Sequence, residues 1–307
     1  MQQPIPPPAA PQGRYAFPAL IAGNLILALG PWMVRLADVG PVAAGFWRMG
    51  LAVPLLLLLA RHQAGPKIAP NRRYVVLLSI AGLFFAADLA AWHVGIRMTK
   101  LANASLFGNS SSIFLVVYGF LRLKRLPRRV QWLAIAAAGI GAALLLGSSW
   151  ELSPEHFTGD LFAALAGLFY TFYLIVVDRT RKTMQSMPVL AIATTAGALP
   201  LLLFALLIGD QVVPHDWIPL VLLALGSQVI GQGLVVYGVG YLSPVVVGVS
   251  LLSQPLASAL IGRLAYGERM SGADIAGAVL IAASLILIRL PERRARPLAS
   301  KAAQDHS

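Results

Sequence analysis

Apolar residues along this chain gather into runs of about 20, separated by charge, proline and glycine. The short alternating blocks of a transmembrane barrel are absent from the sequence. Each run can cross about 30 Å of hydrocarbon at about 1.5 Å rise per residue. Ten spans are predicted: 16–36, 41–60, 74–96, 101–121, 130–147, 159–178, 187–208, 217–237, 243–262 and 272–288. The stretches Arg97–Lys100 and Gly238–Ser243 are tight connections, so spans 3 and 4, and spans 8 and 9, are expected to be antiparallel neighbours. The class that follows is an all-α polytopic membrane protein.

Composition agrees. Of 307 residues, 58% are hydrophobic and 12% charged, where a soluble domain carries about 25% charged residues. Cysteine is absent, which excludes disulfides, thiolate metal sites and cysteine nucleophiles. Of five histidines only His93 falls inside a span, and no second histidine stands at ligand spacing. No metal and no cofactor are expected, and an intramembrane enzyme lacks its nucleophile or metal cluster. With no P-loop pattern, ATP-driven transport is disfavoured. Residues 1–15 are proline-rich and read as a disordered lead, not a signal peptide; residues 291–307 read as a polar tail.

The net charge of +12 suits cytoplasmic loops, not nucleic acid. With the first span entering from the cytoplasm, 18 Lys and Arg lie inside and 4 outside, while Arg35 and Arg48 fall within spans. Both termini are therefore expected in the cytoplasm. The outer loops 5–6 and 7–8 hold Glu151, Glu155, Asp210 and Asp216 and no Lys or Arg.

The chain also repeats itself. Residues 123–146 resemble 266–288 in pattern, a charged hairpin followed by a run rich in small residues, and 50–60 resembles 197–207. Five spans per copy is an odd number, so the second copy must enter the membrane inverted, as in alternating-access transporters. This divides the chain into a first repeat, 16–147, an outer linker, 148–158, and a second repeat, 159–290. Two inverted five-helix repeats are expected to surround a central cavity.

The motif LSQPLASALIGRLAYGER (252–269), with Pro255 inside a span and Glu268 in the hairpin, resembles the EamA family of the drug/metabolite transporter superfamily. The likeness extends over residues 16–290. The first repeat departs from it, with Ser111-Ser112 where the second has Gln254-Pro255. More narrowly, the chain is similar to YddG-type bacterial exporters of aromatic amino acids. That resemblance implies inner-membrane export of amino acids and related small metabolites through a central cavity. A transporter of the same fold for another small organic substrate is the alternative.

Polar groups within spans are the candidate pathway. Arg48, Asp88 and Asn109 fall about 10–12 Å from the outer ends of spans 2, 3 and 4, in one layer. An ionised side chain costs about 2.5–3.5 kcal/mol at a span centre on insertion scales. Arg48 and Asp88 are expected to pair, or to meet across a wet cavity that includes Asn109; a packing ion pair and a substrate role both fit. Trp92 shares the face of Asp88, whereas His93 is rotated off it and reads as either a packed residue or a proton relay. Tyr170 and Tyr173 near the midplane suggest a cavity wall. Gln228 and Gln232 share one helix face, and Ser250, Gln254 and Ser258 another. Their amides suit a zwitterion without stranding a charge. Asn24 and Arg35 are weaker candidates. On span 4, Ser105, Asn109 and Ser112 share a face; Asn109 is placed on the pathway, and Ser110 and Ser111 in packing. Pro31, Pro54, Pro200 and Pro255 are hinge candidates. The expected partners are a small-molecule substrate and the lipid bilayer.

Overall fold

Helices form where the punctuation of the sequence places them. The computed structural model describes residues 13–63, 71–99, 104, 107–123, 128–147, 154–266 and 271–289. Residues 1–12 of the lead, the tail, Lys100, Asn103, Ser105 and Glu268 lie outside these. Among the described residues the longer helical stretches are, in order, α1 (Ala16–Leu36), α2 (Pro41–His62), α3 (Arg72–Met98), α4 (Ser110–Leu123), α5 (Arg129–Gly147), α6 (Phe157–Thr180), α7 (Ser186–Leu207), α8 (Ile218–Val239), α9 (Pro244–Leu251 and Ser253–Tyr266) and α10 (Gly272–Leu287). Seven of them are long and apolar enough to cross a membrane, and α4, α5 and α10 contain shorter apolar helices.

The outward faces are those of a protein in lipid. On α4, Ile113, Val117 and Leu121 recur every four residues and are 65%, 48% and 72% exposed. A stripe of this kind in water would be an aggregation site; in a bilayer it faces hydrocarbon.

Three rods are broken, and proline explains where. The helix halves end at Leu27, Gly50 and Leu251, each four residues before Pro31, Pro54 or Pro255. Proline has no N–H to give to the carbonyl at i−4, and its ring clashes with that carbonyl. Pro200 differs: α7 continues through it. At the α9 break, Ser250 O accepts from Asn24 Nδ2 at 2.9 Å and from Ser253 Oγ at 2.7 Å. Asn24 thus satisfies a broken neighbouring helix. A fourth irregularity had no sequence signal: Ala224–Gly231 of α8 is a π-helix.

Helices pair between the two halves of the chain. The α3 helix packs on α6 and α7, α1 on α8, α2 on α7, α4 on α9, and α5 on α10. The α5–α10 contact brings backbones together at glycines. A β-carbon on Gly141 would lie 2.8 Å from Gly277 O, and one on Gly277 would lie 2.6 Å from Gly141 O. Small residues permit such contact where no hydrophobic force drives helices together in lipid.

The α2–α7 pair is capped reciprocally. Asp210, just past the end of α7, accepts from the N–H groups of Val42 and Ala43 at 2.8 and 3.2 Å. Gln63, just past the end of α2, accepts from the Met187 N–H at 3.0 Å and donates to Ser186 Oγ at 3.2 Å. Each helix start would otherwise carry orphan donors. Asp210 also pairs with Arg97 at 2.9 Å, and a β-carbon on Gly40 would run into its carboxylate. Nearby, Asp38 accepts from the His215 and Asp216 N–H groups at 2.7 and 3.3 Å. The His215 N–H holds the Asp38 carboxyl below its usual range, against an opposing effect of desolvation.

Candidate functional site

A cavity of about 390 Å³ lies among α1, α2, α3, α4, α6, α8 and α9, with residues of α5 and α10 at its rim. Every lining residue lies near the middle of its helix or toward the end that carries the loops α1–α2, α3–α4, α7–α8 and α9–α10. Toward the other end the helices close on one another. There Asp178 of α6 pairs with Arg122 of α4 and with Lys182 at 3.4 Å. Arg181 donates to Val236 O at 3.1 Å and to Met184 O.

The three residues placed at one depth by counting, Arg48, Asp88 and Asn109, all border this cavity. Arg48 does not pair with Asp88, since no ion pair joins them among the described residues. Instead, Arg48 Nε donates to Gln228 Oε1 at 3.0 Å, and Gln228 Nε2 donates to Thr194 Oγ1 at 2.9 Å. The guanidinium lies over the Phe85 ring, 5.5 Å from its centroid. Phe85 is stacked on Tyr173 at 4.8 Å, and Tyr173 OH accepts from Gln232 Nε2 at 3.2 Å.

Gln228 and Tyr173 are therefore supports and not wall. Both are 0% exposed and neither borders the cavity. Tyr170 and Gln232 do border it, as do Gln254, Pro255 and Ser258. Trp92 is on the wall with Asp88. His93 also reaches it, although only 4% exposed. The α4 face differs from expectation. A backbone bond from Ser112 N to Asn109 O, three residues apart, tightens the chain where α4 begins. Ser111 joins Asn109 on the wall, while Ser112, equally buried, does not border the cavity. Thr194 and Phe85 were not among the expected residues. Both are single side chains in apolar helices and act through Gln228 and Arg48.

Two copies of one family model, described as the EamA-like transporter family, match residues 15–147 and 157–290. The chain belongs to the EamA-like transporter family. Among similar proteins is the pseudopaline exporter CntI of Pseudomonas aeruginosa, 27% identical over 256 residues, covering 79% of this chain and 84% of that one. An uncharacterized transporter of Archaeoglobus fulgidus is 23% identical over 194 residues, covering 62% of this chain and 67% of its own. A solved crystal structure shares the fold with a TM-score of 0.75 at 19% identity, covering 91% of this chain and 97% of the other. This EamA chain is thus a multi-pass membrane protein of a transporter family, and its cavity is the candidate substrate site.

Proposed function

We propose that the protein exports amino acids, with aromatic or apolar side chains preferred, and related small metabolites across the bacterial inner membrane by alternating access. One observation carries this reading: a cavity of about 390 Å³, built from both halves of the chain, holds Arg48 and Asp88 in the span of the helices. The volume falls in the range of about 300–1,000 Å³ typical of small-molecule sites. Trp92, Tyr170 and Leu89 offer apolar and aromatic surface beside the charges. Intramembrane ionisable residues facing a cavity mark a substrate path.

The reading includes two inverted repeats, 16–147 and 159–290. In its favour, the pairs α3–α6 and α8–α1 exchange under such a symmetry, while α2–α7, α4–α9 and α5–α10 map onto themselves. The two caps do the same: Val42 corresponds to Met187 and Gln63 to Asp210, at nearly one spacing in sequence. Both termini are placed in the cytoplasm by the positive charge of the loops on that side. The cavity then faces outward, the state from which an exporter releases its cargo. The second reading, another small organic substrate, is favoured by the likeness to a pseudopaline exporter.

The test is flux. Full-length protein in liposomes equilibrates labelled phenylalanine faster than empty vesicles do. Absence of flux for phenylalanine, leucine and tryptophan, with monodisperse protein, overturns the amino acid reading. Competition by other small acids and amines then decides for the second.

A further inference from the structure

We propose that the cavity selects dipolar ions, with a substrate carboxylate on the two Nη groups of Arg48 and its ammonium group at Asp88. The inference rests on the transport reading above and specifies its substrate class.

Arg48 is held ready from behind. Its Nε is occupied by the buried Gln228, whose own amide is fixed by Thr194. Its face lies on Phe85, which is itself stacked on Tyr173. Guanidinium carries five N–H donors in a planar fork. One is used, and the Nη groups have no hydrogen-bond partner among the described residues. A planar pair of donors beside a cavity matches the two oxygens of a carboxylate.

Asp88 is the complementary pole. It lies three residues beyond Phe85 on α3, so both are on one face. It borders the cavity and has neither a hydrogen bond nor an ion pair among the described residues. The other carboxylate at the cavity, Asp274, is engaged at its rim with Ser271 of its own helix start.

A guanidinium and a carboxyl group border one cavity without touching each other. Charges in a low-dielectric interior are costly when unpaired. A ligand bearing both charges satisfies both poles at once. An acid alone satisfies Arg48 and leaves Asp88, and an amine does the reverse. Of the amides expected from the sequence to hold the substrate's polar end, Gln228 instead aims the arginine.

The experiment measures thermal stabilisation of the detergent-solubilised full chain by phenylalanine, leucine and glutamine. Each is compared with its decarboxylated amine and its deaminated acid. The dipolar member should bind at least tenfold more tightly than either analogue. Arg48→Met should abolish the preference for a carboxylate while amine binding persists, and Asp88→Asn should do the converse. Wild-type ligand ranking stands alone should either variant fail to fold. Analogues binding as well as the amino acids, or no stabilisation by any dipolar member, overturns the inference. Dipolar binding without flux defeats the transport reading and spares this one. Flux with no charge discrimination does the opposite.

Discussion

Gln228 is a residue whose position decides its role. It is fully buried and bridges Arg48 to Thr194, so it orients a cation without touching the cavity. Two substitutions separate its duties. Gln228→Leu strips the acceptor from Arg48 Nε, and a hydrogen bond to a charged group is worth about 1.5–3 kcal/mol. It should lower both Tm and the affinity for a carboxylate, the latter by about tenfold. Gln228→Glu keeps an acceptor and adds a charge that competes for the guanidinium. It should retain Tm but raise KM for amino acid flux, a split that a purely structural residue would not give. The sequence placed Arg48, Asp88 and Asn109 at one depth by counting along predicted helices, and the cavity joins them. It could not separate wall from support. Gln228 and Gln232 are both amides on α8, and only the neighbours Thr194 and Tyr173 assign one to Arg48 and the other to the wall. Thr194 carries no local mark, because a threonine in an apolar helix usually bonds its own backbone.

Helix existence was readable because hydrocarbon thickness sets a length that composition must fill. Breaks were readable where proline stands four residues after the last regular turn, as at Pro31, Pro54 and Pro255. Pro200 has the same chemistry inside a continuous α7, so proline alone does not make a break. The π-helix over Ala224–Gly231 was unreadable, since it contains no proline or other local mark in the sequence. So were the reciprocal caps, which join residues far apart in sequence. These caps hold α2 and α7 at both ends and make a stability prediction. Asp210→Ala removes the carboxylate oxygen that accepts from two N–H groups, together with the Arg97 partner, and Gln63→Ala removes the cap at the other end. Loss of a helix cap costs about 1 kcal/mol, with a range of about 0.5–2. Each variant should melt several degrees below the parent in detergent, with the larger drop for Asp210→Ala. The double variant should show the sum, because the two sites share no partner.

The arrangement of the whole chain gives the cavity a direction. Positive charge gathers in the loops at the closed end, beside Arg122, Asp178, Arg181 and Lys182, and the cavity occupies the other half of the bundle. On the proposed reading the positively charged, closed end is cytoplasmic, and the cavity then opens outward. The absence of cysteine makes this directly measurable, because single cysteines can be placed in an otherwise unreactive protein. Val213, 73% exposed in the α7–α8 loop, reports the side the cavity faces. Thr183, in the α6–α7 connection, reports the other side. In intact cells a membrane-impermeant thiol reagent should label Val213→Cys, and should label Thr183→Cys only after permeabilisation. Ser258→Cys, on the cavity wall, should label from outside and be protected by bound substrate. Leu174, 1% exposed in the closed half of α6, supplies the contrast. Leu174→Cys should resist reagent applied from outside, and react from the cytoplasmic side only as the protein turns over. Equal labelling of Ser258→Cys and Leu174→Cys from one side would describe a continuous pore, and alternating access would then be the wrong mechanism for this fold.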